Sequence, residues 1–238
     1  MGKNLIQQKR GKGGPRYLAP SFNYAGEAKH KSYSKETVSG LITELIDCPG
    51  HSAPLMKIKY DDGEECLLLA SEGLKIGDRV SAGSESALSS GNILPLKDLP
   101  EGTLVNNIES MPGDGGKFAR SSGTFGRVLS KIGDSVSVML PSKKEKLFVG
   151  ECRAAIGVLA GGGRREKPFI KAGNKFHAMR AKNKLYPIVC GQSMNAVNHP
   201  HGGSRSSKKN KPLISPRFAS PGRKAGALHP RRTGRRKR

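Results

Sequence analysis

From Lys167 to Arg238 the sequence runs 72 residues without one aspartate or glutamate, although it carries 19 lysines and arginines there. Tryptophan is absent, and aromatics make up only 5% of the 238 residues. No apolar run approaches the ~20 residues that a bilayer-spanning helix requires, and the N-terminus lacks the apolar stretch of a signal peptide, so the chain reads as soluble and intracellular. The four cysteines, Cys48, Cys66, Cys152 and Cys190, form no C-x-x-C pair. The six histidines fall into no ligand spacing with them, which removes zinc-ribbon and redox-motif readings. Neither a metal nor a cofactor is expected. Thiols scattered beside apolar runs, as with Cys66 before Leu67-Leu68-Leu69 and Cys190 after Ile188-Val189, are expected to be buried and reduced.

What the sequence does hold is cationic charge at its ends. The first 39 residues have 8 basic against 2 acidic side chains, whereas residues 40–166 have 15 against 17. A near-neutral centre between two cationic arms is the electrostatic footprint of a protein that embraces polyanion. Single-strand readers carry stacking rings on their platforms, but the tail from Gly191 has one ring, Phe218, so stacking is not its main mode. No recognition helix or ribbon for duplex DNA is visible either. Arms that read RNA shape and phosphate remain.

Glycine (31) and proline (15) favour short strands and tight turns over long helices. Residues 1–36 lack hydrophobic period, and Gly11-Lys12-Gly13-Gly14-Pro15-Arg16 suits neither a helix nor an inner strand. Taken alone, this arm is expected to be disordered. Thr37–Asp47, Pro54–Tyr60, Glu64–Ala70 and Gly77–Val80 read as strands. Asp61-Asp62-Gly63 marks a hairpin, with Met56, Ile58 and Tyr60 on one strand face and Lys57 and Lys59 on the other. This run of short strands suits a small closed barrel of OB type. After a break from Ser84 to Gly91, apolar segments at Thr103–Ile108, Phe125–Ile132, Ser135–Leu140, Lys146–Val149 and Ala154–Ala160 suit an SH3-like barrel. Phe176–Lys184 is the best helical candidate. The expected fold is all-β: an OB-fold barrel followed by an SH3-like barrel, with long basic N- and C-terminal extensions. The expected divisions are 1–36, 37–90, 91–190 and 191–238.

Three motifs bear on chemistry. Gly113-Asp114-Gly115-Gly116-Lys117 resembles a phosphate loop but has Met111 and Phe118 where a Walker A loop needs Gly and Ser/Thr. It reads instead as a glycine-rich loop against an RNA backbone. Gly161-Gly162-Gly163-Arg164-Arg165 clears side chains away and then supplies two guanidiniums, a combination that lets main chain and Arg forks approach phosphate. Met194–Gly203 sets His199 and His201 either side of Pro200. A general-base histidine needs an orienting partner, and this region has no carboxylate. His199 therefore reads as a structural RNA contact, and no catalytic residue is nominated.

With these motifs in order, the chain resembles the universal large-subunit ribosomal protein family conventionally numbered two, in its archaeal and eukaryotic-type branch. The resemblance covers nearly the whole length. It rests on Ala19-Pro20-Ser21, Leu99-Pro100-Glu101-Gly102, Ser122–Phe125, Cys152-Arg153-Ala154, Ala160–Arg164, Glu166–Phe169 and Lys171–Lys175. The Met194–Gly203 loop and the tail at Pro221–Lys224 and Arg232–Arg235 complete it. It implies an OB-fold and an SH3-like barrel with both termini threaded into large-subunit rRNA, and a primary rRNA binder that supports subunit association. It also implies a His199 loop directed toward the peptidyl-transferase region, where a direct role in peptide transfer is the alternative. A general RNA chaperone is the other alternative. Two departures stand out: Asn198 replaces a usual Asp or Glu, and Ser204-Arg205 interrupts a glycine run.

The residues nominated for RNA contact come from these motifs. They are Lys9, Arg10, Lys12 and Arg16 in the first arm; Arg164 and Arg165 after the glycines; Lys171, Asn174, Lys175 and Arg180 beyond them; Met194, Asn195, His199, His201, Gly202, Gly203 and Arg205 in the loop; and Arg217, Arg223, Lys224, Arg231, Arg232, Arg235 and Arg236 in the tail. The expected partners are large-subunit rRNA, neighbouring ribosomal proteins and the small subunit through intersubunit contacts, with the protein a cytoplasmic monomer within the ribosome and no membrane involved.

Overall fold

Short β-branched and apolar segments, most of them closed by Gly, Pro or Asp, give ten strands among the described residues. The computed structural model describes residues 6–32, 36–203, 214–215, 217–220 and 224–226. The strands are β1 (Val38–Ile46), β2 (Leu55–Tyr60), β3 (Glu65–Leu69), β4 (Arg79–Ala82), β5 (Ile93–Pro95), β6 (Leu104–Asn106), β7 (Gly126–Ile132), β8 (Ser135–Met139), β9 (Glu145–Val149) and β10 (Arg153–Ile156). They join in one sheet of order β3-β2-β1-β4-β5-β10-β6-β7-β8-β9. All pairings are antiparallel except that of β4 with β5, which is parallel at Ala82 and Ile93. The all-β expectation holds. Two short helices lie outside the sheet, α1 (Ile6–Gly11) and α2 (Ala172–Arg180).

The alternation of side chains along strands creates two main cores. Met56, Ile58 and Tyr60 of β2 pack with Ile42, Leu68, Val80, Ile93 and Ala155 in the first. Leu94, Leu96, Val105, Val128, Val136, Val138, Phe148, Ala154 and Ile156 fill the second. Strands β5 and β10 are the shared wall. Ile93 and Ala155 face the first core, while their neighbours Leu94, Ala154 and Ile156 face the second. Each large side chain buried in these cores contributes on the order of 1.5–3 kcal/mol, and the wall makes the two cores one continuous body.

The chain divides into two compact units, Ser21–Ile170 and Met1–Pro20 with Lys171–Arg238. Several expectations change here. Helix α1 occupies part of the first arm and ends at Gly11, before the Gly-Gly-Pro that forbids continuation. Ala28, His30 and Lys31, also placed in that arm by the sequence, are buried in the Ser21–Ile170 unit. Their backbone is tied by Lys29 N–H to Leu67 O at 2.9 Å and His30 N–H to Gly115 O at 3.1 Å. Strand β5 has only three residues and ends in Pro95, too short to show a period. Cys48 and Cys152 are buried, but Cys190 is exposed, because Ile188 and Val189 before it are themselves 83% and 50% exposed and join no core.

Candidate nucleic-acid interface

Charge separates by unit. Residues 21–170 hold 19 lysines and arginines against 19 aspartates and glutamates, while residues 1–20 and 171–238 contain no acidic side chain at all. The whole formal charge of +23 therefore belongs to the second unit. Its cations have no carboxylate side chain within their own unit to pair with, so they repel one another wherever salt does not screen them.

Within that unit, Ala172, Lys175, Ala178, Met179 and Arg180 favour helix, and α2 forms over nine residues with none buried. Such a helix is too short to be stable alone and depends on the residues that close its C-terminal end. Asn183 takes the left-handed conformation (φ 48°) and closes the helix end, its N–H donating to Arg180 O at 2.9 Å. Its side-chain amide donates to Pro15 O and Leu18 O, both at 2.8 Å. One asparagine thus pins the glycine-proline turn of the first arm, and with it Arg16, to the end of α2. The result is a cavity of about 240 Å³ lined by Arg16, Phe176, Arg180, Asn183, Lys184, Leu185 and Tyr186. Lys175 Nζ lies 5.4 Å from the centre of the Tyr186 ring.

The histidine loop is closed by its own backbone. Asn198 N–H and His199 N–H donate to Asn195 O at 2.9 and 3.2 Å, Gly202 N–H donates to His199 O at 2.9 Å, and Gly203 N–H donates to Met194 O at 3.2 Å. Glycine is required at position 202, where a Cβ would lie 2.3 Å from Asn195 O and 2.4 Å from Met194 O. His201 N–H donates to His199 Nδ1 at 3.0 Å, which leaves the proton of the neutral His199 ring on Nε2. In that tautomer Nε2 is a donor rather than a base. The two imidazoles meet edge to face at 5.0 Å. In the tail, the Arg217 guanidinium lies 5.5 Å from the Phe218 ring centre, and Phe218 is 92% exposed.

In the Ser21–Ile170 unit, Arg164 and Arg165 are exposed on a turn closed by Glu166 N–H to Gly163 O at 2.9 Å. The turn rests on the Ser121–Thr124 loop. Gly123 N–H donates to Leu159 O at 3.0 Å, and a Cβ on Gly123 (φ 69°) would lie 2.6 Å from Gly162 Cα. The other glycine loop behaves differently from expectation. Gly113 and Gly115 donate their N–H groups to the Glu109 carboxylate at 3.3 and 3.2 Å, and Gly116 donates to Asp114 at 3.1 Å. These amides serve two carboxylates of the protein itself, Glu109 and Asp114.

Glu109 is fully buried. It accepts from the Arg153 side chain at 2.8 Å and from the Arg153 backbone N–H at 2.8 Å. Burial opposes its ionisation, but these Arg153 bonds outweigh that and hold its carboxyl below the ordinary range. Arg153 also donates to Lys31 O at 2.8 Å. His30, whose Nε2 donates to Asn107 O at 2.6 Å, is pushed down to about 4, chiefly by burial. Lys31 holds Asp62 and Glu64. This polar knot fastens residues 28–32 to the sheet and takes no part in the cationic surface.

Comparison with known proteins rests on the full chain. Residues 3–82 match the Ribosomal Proteins L2, RNA binding N-terminal domain, and residues 89–217 match the Ribosomal Proteins L2, C-terminal domain. The chain belongs to the ribosomal protein L2 family. Its similarity to the large ribosomal subunit protein uL2 of Archaeoglobus fulgidus is 50% identity, covering 98% of this chain and 99% of that one. The corresponding proteins of Methanocaldococcus jannaschii and Methanothermobacter thermautotrophicus are 48% and 45% identical, each with both chains covered in full.

In this L2-family chain the nominated residues Lys9, Arg10, Lys12, Arg16, Lys171, Asn174, Lys175, Arg180, Met194, Asn195, His199, His201, Gly202, Gly203, Arg217 and Lys224 all lie in the acid-free unit, and Arg164 and Arg165 lie in the other. Arg205, Arg223, Arg231, Arg232, Arg235 and Arg236 lie outside the described residues. The sequence did not nominate Phe176, Asn183, Lys184 or Tyr186. Their signal was two aromatic rings, ten residues apart, in a stretch otherwise devoted to charge. Among the described residues no three His, Cys, Asp or Glu side chains converge to hold a metal, and no helix is long and apolar enough to cross a membrane.

Proposed function

We propose that this chain is a structural constituent of the large ribosomal subunit and a primary binder of its rRNA. The observation that carries this is the confinement of the entire +23 charge to one unit without a single acidic side chain. Such a unit is completed by phosphate, and each phosphate contact releases counterions, so binding tightens as salt falls. The strands within residues 37–90 serve as an OB-fold module and those within residues 91–170 as an SH3-like module, with the basic residues 1–20 and 171–238 outside both. The partners are large-subunit rRNA, neighbouring ribosomal proteins and, through intersubunit contacts, the small subunit, in the cytoplasm. The nominated residues organise rRNA near the peptidyl-transferase region rather than perform chemistry. The hydrogen bond received by His199 Nδ1 supports this, because it makes Nε2 a donor. Sedimentation of cell extract through sucrose at moderate and then high monovalent salt tests the reading. Stoichiometric presence in the large subunit that persists into high salt is expected. A protein that stays at the top, or spreads along all RNA and dissociates early, is a general polyanion binder instead. His199→Gln is expected to slow subunit assembly before it alters the rate of peptide transfer, and the reverse order would favour a chemical role.

A further inference from the structure

Phosphate reading accounts for the cations of the acid-free unit but not for the cavity at the end of α2. Two aromatic rings line it, Phe176, 42% exposed, and Tyr186, partly buried. Three cations line it as well, Arg16, Arg180 and Lys184, and none of them forms an ion pair among the described residues. At about 240 Å³ it falls below the ~300–1,000 Å³ of pockets for drug-sized ligands. The cavity is also held open by its own structure. Asn183 spends both of its amide hydrogens on Pro15 O and Leu18 O at 2.8 Å, which fixes the turn that presents Arg16.

Aromatic faces beside unpaired guanidinium and ammonium groups, in a recess of single-base size, match the chemistry by which proteins capture a base splayed out of an RNA helix. The base stacks on a ring or a guanidinium plane, and its phosphate is met by cations. We infer that this cavity is a binding site for one unpaired RNA nucleotide, its base against Phe176 and Tyr186 and its phosphate against Arg16, Arg180 and Lys184. The inference rests on the reading of this unit as an RNA binder and adds a single-nucleotide selectivity that phosphate contacts alone do not supply.

The test uses the full chain and two RNA hairpins that differ only in whether one 2-aminopurine is bulged or paired. The wild-type protein is expected to bind the bulged hairpin about tenfold more tightly and to quench the bulged base as it stacks. Phe176→Leu and Tyr186→Leu, which keep apolar bulk but remove the ring, are each expected to abolish most of that preference while keeping the affinity for the paired hairpin. Retained affinity for the paired hairpin also reports that the variants are folded. Equal wild-type affinities with no quenching overturn the pocket assignment and leave phosphate reading intact, as does a preference that survives both variants. Failure to bind either hairpin overturns the RNA reading itself and the pocket with it. The wild-type quenching result decides the matter even where a leucine variant loses both affinities.

Discussion

Glu109 and Arg153 form a buried ion pair, with side chains 0% and 8% exposed. Both charges are removed from water, so deleting one leaves the other uncompensated, a loss of about 3–5 kcal/mol in comparable sites. Glu109→Gln should lower the free energy of unfolding by about that amount in urea titration. Lys57→Ala, which breaks the exposed pair with Glu65, should leave the midpoint unchanged. His30 supplies a pH dependence whose sign is set by its environment. Burial lowers its folded pKa to about 4 from an ordinary 6.5, so between those values the unfolded chain binds more protons than the folded one. Stability contributed by neutral His30 is complete above pH 6.5 and is lost as pH falls toward 4, by about 3 kcal/mol over the span. Glu64, which Lys31 holds at about 2, does not titrate in the upper part of that window. Urea midpoints measured at pH 7 and pH 5 should differ in wild type and differ less in His30→Gln. Some slope should persist in the variant, because burial shifts His51 in the same direction.

At the level of elements, most of the sheet was legible because its strands alternate. Met56, Ile58 and Tyr60 are buried on one face of β2, as their spacing requires. The exceptions have physical reasons. Strand β5 is three residues long and pairs along its whole length only with β10, some 60 positions onward, so no local window reveals it. The glycines at 113–116 were legible as an anion nest, but the anion is a carboxylate four to six residues away, which only the fold identifies. The Gly161–Arg165 turn, by contrast, was read from sequence as exposed arginines on a glycine bend, and its support is the Gly123 loop. Gly123 has φ 69° and no room for a Cβ against Gly162. Gly123→Ala should therefore cost about 1–3 kcal/mol and loosen the turn, so that trypsin cleaves faster after Arg164 and Arg165. Unchanged cleavage and an unchanged melting temperature would show that the two loops do not support each other.

At the scale of the whole molecule, the division of labour is electrostatic. A neutral sheet unit is stabilised by its own apolar cores and internal ion pairs, while the other unit gathers cations with no acidic side chain beside them in sequence. The sequence showed charge at both ends but set the first boundary at residue 36, because Glu27, His30 and Lys31 look like arm residues until the buried knot is seen. The division predicts which charges govern RNA affinity. Each lysine or arginine that contacts phosphate contributes about 1 to the slope of log K against log salt. Arg16→Gln with Arg180→Gln should therefore lower the magnitude of that slope on an rRNA fragment by about 2. Lys143→Gln with Lys144→Gln, on the exposed turn between β8 and β9 of the neutral unit, removes the same net charge and should leave the slope where it was. Equal losses from both pairs would mean that net charge alone, and not its placement in the acid-free unit, sets the attraction.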